Sequence, residues 1–247
     1  MARVIVVGSI NQDVTVTVDR FPSPGETLSG TSLTYSLGGK GANQAAAAAH
    51  SGATVVFVGA LGSDPSGQRL RCDLASHGVD VTHLREADGP SGTALITVAA
   101  SGENTIILDA GANATVSITP AKASLFPAPS DIVVLQAEIP ERANAEALAW
   151  AHSFGARVLL NLAPARPTDP ALMARTDILV VNETEAGLTL GMPAPASPME
   201  AIGVARALRG LGPKHVMVTL GADGAAWASG SEAGHCPALT LGEAVDT

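Results

Sequence analysis

Short apolar runs of strand length punctuate the chain at residues 4–7, 55–58, 132–135, 158–160, 178–181 and 215–220. Between most of them lie alanine-rich stretches of helical length, at residues 42–50, 143–152 and 199–208. Runs without a polar residue at every second position mark strands covered on both faces. Their alternation with helices predicts an α/β fold, a parallel sheet joined by crossover helices. Two regions behave differently. Val14, Val16 and Val18 alternate with Thr15, Thr17 and Asp19, the period of a strand with one wet face. Residues 93–98 and 105–108 flank the turn Ser101-Gly102-Glu103-Asn104 and read as a hairpin. Together they predict a small antiparallel sheet standing off the main body, suited to a lid or a subunit contact. Residues 193–198 read as a loop within the body, and no internal repeat is present.

Composition sharpens this picture in three respects. Hydrophobic residues make up 46% of the 247 and aromatics 3%, so the core is built from Ala, Val, Leu and Ile. Against 23 acidic residues stand 14 Lys and Arg, a net charge of -9 with no basic cluster, which argues against nucleic acid as a partner. Cys72 and Cys236 lack metal-ligand spacing and are expected to be free, buried thiols in a reducing cytosol. The apolar run near Met1 is too short for a secretory or membrane segment, and Asn11 and Asp13 follow at once, so a cytoplasmic protein without membrane contact is expected. The glycosylation patterns at Asn113 and Asn182 are set aside on the same ground.

Ligands of open parallel sheets bind beyond the carboxyl ends of the strands, and there the residues are polar with regularity. Asn11 and Asp13 follow the first run, Gln136 and Glu138 the third, Asn161 the fourth and Asn182 the fifth, while Thr219 sits near the end of the sixth. Gly38-Gly39-Lys40-Gly41-Ala42-Asn43 precedes an alanine helix. Glycines there let a backbone approach a ligand closely, and Lys40 and Asn43 share a face of the first turn, where they could hold sugar hydroxyls. The glycines at 62 and 67 have phosphate-loop spacing, but Gln68-Arg69 follows where Lys and Ser or Thr are required, so no P-loop is read there. Asn182-Glu183-Thr184-Glu185 is a capping-box pattern, and Thr219-Leu220-Gly221-Ala222-Asp223-Gly224 is a strand end entering a glycine turn.

The order of these segments is more specific than any one of them. Gly8-Ser9-Ile10-Asn11-Gln12-Asp13, Phe21-Pro22-Ser23-Pro24-Gly25-Glu26-Thr27 and Gly38-Gly39-Lys40-Gly41-Ala42-Asn43-Gln44-Ala45 resemble the amino-terminal signature of the ribokinase family of sugar kinases. Asp109-Ala110-Gly111-Ala112-Asn113-Ala114, Gln136-Ala137-Glu138, Asn161-Leu162-Ala163-Pro164-Ala165-Arg166, Asn182-Glu183-Thr184-Glu185-Ala186 and Thr219-Leu220-Gly221 continue the resemblance in the family's order. It implies a three-layer fold, with a central, mostly parallel sheet flanked by helices and a small antiparallel β lid. The body would be 1–13, 36–92 and 109–247, and the lid 14–35 and 93–108, often a homodimer surface in the family.

The resemblance also implies ATP-dependent phosphorylation of a sugar hydroxyl, D-ribose to ribose 5-phosphate before other sugars or nucleosides. Asn11, Asp13, Gly39, Lys40, Asn43 and Glu138 match sugar-holding positions. Asn182, Thr219, Gly221 and Gly224 match the nucleotide site, Glu185 a position acting on Mg2+ through water, and Asp246 one binding an activating monovalent cation such as K+. The family's catalytic base lies in a Gly-Ala-Gly-Asp segment that would come after Thr247. The expectation is therefore a longer, active kinase of which these residues are part, the alternative being an inactive sugar-binding or interaction fragment.

Overall fold

Each of the six apolar runs forms a strand in the computed structural model, which describes residues 2–239. The chain divides after Arg157 into two compact units. The first begins with β1 (Arg3–Val7), β2 (Asn11–Val18), β3 (Ser32–Gly38), α1 (Lys40–His50) and β4 (Thr54–Gly62). It continues through α2 (Pro65–Ser76), β5 (Val79–Ala87), β6 (Gly92–Ala99), β7 (Asn104–Asp109), β8 (Ile132–Gln136) and α3 (Glu141–Ser153). β8, β1, β4 and β5 lie side by side in that order, all parallel. Ile5, Val6, Val7, Phe57, Val133 and Leu135 are buried in this layer, each aliphatic or aromatic side chain contributing roughly 1.5–3 kcal/mol. Helix α1 covers β1, β4 and β8, while α3 packs on β8. Because β4 and β8 flank β1 on opposite sides, the carboxyl end of β1 is a topological switch point, where such sheets open a crevice.

From that point the chain enters the small sheet, of strand order β3-β2-β6-β7. Its two hairpins are antiparallel and are joined by the parallel pairing of β2 with β6. The register sorts its faces. Val14 stands opposite Tyr35 and Leu95, Leu95 opposite Ile107, and Val16 opposite Leu33, so one face is apolar and exposed. Asp13 stands opposite Ser36 and Ala94 on the other. β2 begins at Asn11 and β3 runs to Gly38, deeper than the valine alternation indicates, because the polar residues 11–13 extend the strand without extending the pattern.

A buried clamp fixes the start of β1. Asp131 is fully buried and accepts from the Arg3 backbone N–H (2.8 Å), the Arg3 Nε (3.1 Å) and Nη2 (2.7 Å), and the Ala128 N–H (2.9 Å). Burial alone would raise its carboxyl group, but the Arg3 guanidinium and these N–H groups outweigh that and hold it below the ordinary carboxylate range.

The second unit carries β9 (Arg157–Asn161), α4 (Pro170–Ala174), β10 (Ile178–Asn182), α5 (Glu183–Leu190), α6 (Pro198–Arg209), β11 (His215–Thr219), β12 (Ala225–Ser229) and β13 (Glu232–Cys236). β9, β10 and β11 are parallel, and β12 and β13 extend the row antiparallel. α6 covers β11 and β12, and α5 packs on β10. Among the described residues no helix is long and apolar enough to cross a membrane. Cys72 and Cys236 are free as expected, but both are exposed rather than buried, one on the polar helix α2 and one ending the outermost strand β13.

Candidate active site

Every N–H of the first turn of α1 has a partner within the first unit. Lys40 N donates to Glu138 Oε2 (3.0 Å), Gly41 N to Ser9 Oγ (3.2 Å), Ala42 N to the Ser9 carbonyl (2.9 Å) and Asn43 N to the Gly39 carbonyl (2.9 Å). The last is the helix's own bond; the other three are donors a helix leaves unpaired, and here they fasten α1 to Ser9 after β1 and to Glu138 after β8, so they are not free for an anion. The glycines permit that approach. Gly39 has φ 90°, and a Cβ on it would stand 2.9 Å from Asn11 N. One on Gly41 would stand 2.6 Å from both Ser9 N and the Ser9 carbonyl oxygen. The glycine cluster thus answers first to backbone packing.

Ser9, fully buried, donates from Oγ to Glu138 Oε2 at 2.6 Å. One oxygen of Glu138 is therefore fixed by Ser9 and Lys40 N. The half-buried Asp13 lies against Gly38, where any Cβ would overlap its carboxyl group. Its Oδ1 is buried and has no hydrogen-bond partner. Burial, and secondarily the negative charge of Glu138, push Asp13 up to about 6. A carboxylate oxygen kept from water without a donor costs free energy unless a ligand supplies one. Two carboxylates, Asp13 and Glu138, are thus near enough at the switch point for the charge of one to act on the other, with Glu138 held against the start of α1. Asn43 lies exposed on the first turn of α1.

Asn113 and Ser9 are structural members of this site that the sequence reading did not single out. Asn113, 2% exposed, accepts from Ile10 N (3.0 Å) and donates to the Ile10 carbonyl (3.1 Å) and to Asn11 Oδ1 (2.7 Å). Gln136, a strand-end candidate, is instead fully buried. Its Nε2 donates to Gln44 Oε1 (2.8 Å), and its carbonyl accepts from Asn144 Nδ2 (2.7 Å).

In the second unit the capping box is formed. Asn182 Oδ1 accepts from Glu185 N (2.8 Å), and Glu185 Oε2 accepts from Asn182 N (2.9 Å). Thr219 Oγ1 donates to the Val181 carbonyl at 3.4 Å, near the limit for a hydrogen bond. Gly221 (φ 53°) opens a 3-10 turn and Gly224 (φ 94°) closes it, the latter packed so tightly on Cys236 and Ala238 that no side chain fits. Asp246 lies outside the described residues. Among those residues no group of three His, Cys, Asp or Glu could hold a metal by itself. The rejected phosphate loop has another use: Asp64 caps α2 through Gly67 N (3.0 Å), and Gly67 packs on the Gly62 carbonyl.

Residues 1–247 match the model of the pfkB family carbohydrate kinases. The chain is 40% identical over 223 residues to a ribokinase of Haemophilus influenzae, covering 89% of this chain and 72% of that protein. To a deoxyribokinase of Salmonella typhi it is 33% identical over 249 residues, covering 99% and 80%. Among solved structures, Arabidopsis thaliana ribokinase complexed with ribose and ATP superposes with a TM-score of 0.87 at 32% identity, covering 100% of this chain and 81% of that one.

Proposed function

The chain belongs to the pfkB family of carbohydrate kinases, and from that premise we propose that it binds D-ribose in its first unit and serves the ATP-dependent phosphorylation of ribose at the 5-hydroxyl. The observation that carries the reading is the buried, unpartnered Asp13 Oδ1 beside Glu138: two carboxylate acceptors and the Asn11 amide within one crevice suit a polyol, which offers several hydroxyl donors together. The similarity to ribokinases, one of them complexed with ribose and ATP, supports both substrates.

Asn11, Asp13 and Glu138 hold the sugar in this reading, with Lys40 and Asn43 at the rim and Gly39 giving α1 its close approach. Asn182, Thr219 and the turn from Gly221 to Gly224 take the nucleotide. Mg2+ is usually held by one or two carboxylates with phosphates and water completing its shell, so Glu185, whose Oε1 is not part of the capping box, fits a water-mediated role. Bound there, the ion would neutralise charge on the phosphates.

Calorimetry of residues 1–247 with D-ribose, 2-deoxy-D-ribose and adenosine tests the sugar site, and product analysis with MgATP, made on the longer protein that carries the expected Gly-Ala-Gly-Asp segment, tests the reaction. Saturable binding of D-ribose in preference to the other two is expected. Stronger binding of 2-deoxy-D-ribose would transfer the assignment to the deoxysugar, and binding of none would overturn it. For the nucleotide side, Asn182→Ala is expected to lose about 1 kcal/mol of stability through the cap. Glu185→Gln, which keeps an acceptor for Asn182 N, should barely move the melting temperature yet weaken MgATP binding. A lowered melting temperature with unchanged MgATP affinity would leave Glu185 only a cap.

A homodimer through the small sheet belongs to the same reading. Leu33, Tyr35, Leu95 and Ile107 are between 52% and 69% exposed on one face, a grouping of apolar side chains of the kind that marks an interaction surface. Sedimentation equilibrium should give a dimer for the native chain and a monomer for Ile107→Lys; a monomeric native chain would exclude it.

A further inference from the structure

We propose that Asn113 is a positioning residue that forces Asn11 to present its amide N–H groups, rather than its carbonyl oxygen, to the sugar; this rests on the ribose-binding reading above. Three hydrogen bonds fix the orientations in sequence. The Ile10 N–H can only donate, so the Asn113 atom 3.0 Å from it is Oδ1. The Ile10 carbonyl can only accept, which independently puts Asn113 Nδ2 on the other side, 3.1 Å away. The Asn11 atom facing that Nδ2 at 2.7 Å must then be an acceptor, Oδ1. Asn11 Nδ2 is left pointing elsewhere, and among the described residues it has no acceptor.

The pair is confined as well as oriented. Asn11 is 4% and Asn113 2% exposed, so turning either amide over would bury a mismatched pair of like groups. Gly92, the first residue of β6, lies directly against the contact, and a Cβ there would overlap both Asn113 Nδ2 and Asn11 Oδ1. The consequence for a ligand is a defined polarity. Asn11 supplies donors and Asp13 an unpartnered acceptor two residues along the same strand. A hydroxyl can accept from the first while it, or its neighbour on a diol, donates to the second. Were Asn11 turned over, acceptors would line this whole side and the pattern would be lost.

Asn113 is 2% exposed and its side chain bonds only to the Ile10 backbone and to Asn11, so the test must separate an effect carried by the Asn11 amide from one carried by the backbone. The test is a double-mutant cycle on residues 1–247, read as the D-ribose dissociation constant by calorimetry and as the melting temperature. Asn113→Asp keeps the acceptor for Ile10 N–H and removes the donor, so Asn11 should turn its Nδ2 inward. Ribose affinity is expected to fall about tenfold in this variant, the value of one hydrogen bond near the upper end for neutral groups. In an Asn11→Ala background the same substitution should change affinity less than about twofold. Gly92→Ala, which substitutes neither asparagine but whose Cβ would force their amide groups apart, should reproduce the tenfold loss and its disappearance in Asn11→Ala, and carries the cycle if Asn113→Asp does not fold. Equal losses in both backgrounds, or wild-type affinity in a folded variant, would overturn the proposal while leaving the ribose site intact. A native chain that binds no sugar would overturn both.

Discussion

Asp13→Ala is expected to weaken D-ribose binding by about 10- to 100-fold near neutral pH, the loss of a hydrogen bond to a charged group. The carboxylate is held from water against Gly38 with Oδ1 unpartnered, so it is poised for a donor that a sugar brings. Its raised pKa adds a pH signature. Asp13 titrates at about 6 in the folded protein against an ordinary value of 3.8. The ionised form accepts from a sugar hydroxyl, so wild-type affinity should fall as pH drops through about 6. In Asp13→Asn that dependence should vanish. Stability runs the other way: a carboxyl with a raised folded pKa favours the folded state fully below 3.8, and that contribution is lost as pH rises through about 6. Asp13→Asn should therefore be more stable than the native chain above about 6 while binding ribose poorly. A variant with native affinity across this range would remove Asp13 from the sugar site.

Asp131→Ala is expected to lower stability by about 1–3 kcal/mol, the cost of leaving its N–H donors without a buried acceptor, read as a shift in the urea midpoint. The substitution leaves the Arg3 and Ala128 N–H groups without their buried acceptor, while the Arg3 guanidinium, 29% exposed, keeps the Phe126 carbonyl as a partner. Here the sign with pH is opposite to that of Asp13. A depressed carboxyl contributes stability above its unfolded value, and this is lost as pH falls through its folded one. The deficit of the variant should narrow in acid. A loss under about 1 kcal/mol would mean that the clamp behaves as an ordinary surface ion pair.

Six of the seven strands of the two parallel rows were legible because each is a continuous apolar run, and helices α1, α3 and α6 because alanine-rich stretches separate those runs; the edge strand β5 was missed because polar residues interrupt it throughout. Helix α2 was not: of its twelve residues only Gly67, Leu70 and Leu74 are buried, too narrow a stripe to stand out from a polar surface. β12 and β13 were missed because Ala225–Ser229 and Glu232–Cys236 lack the branched residues that mark strands; they are strands by virtue of pairing outward from β11. At the site, Asn11, Asp13 and Glu138 stood out as polar breaks after apolar runs. Ser9 and Asn113 did not, because their roles are contacts with residues 129 and more than 100 positions away, and no local pattern encodes such a partner. The glycines at 38–41 were legible as a cluster, but their immediate cause, backbone packing against Ser9–Asn11, becomes visible only in three dimensions.

That β2 carries Asn11 and Asp13 and is also an inner strand of the small sheet constrains how such a chain can vary over generations. Slipping β2 by one residue against β3 and β6 would turn Asp13 to the opposite face and bring Val14 into the crevice. Insertions and deletions inside residues 11–18, 32–38 and 92–99 should therefore disrupt the site even where the side chains are exposed. Length can drift only where it leaves the count unchanged, in the connection at 19–31 and the tip at 100–103. The sheet acts as a reading frame for the sugar site, and deep mutational scanning should find it intolerant of single-codon indels while accepting most substitutions at Thr15 and Thr17.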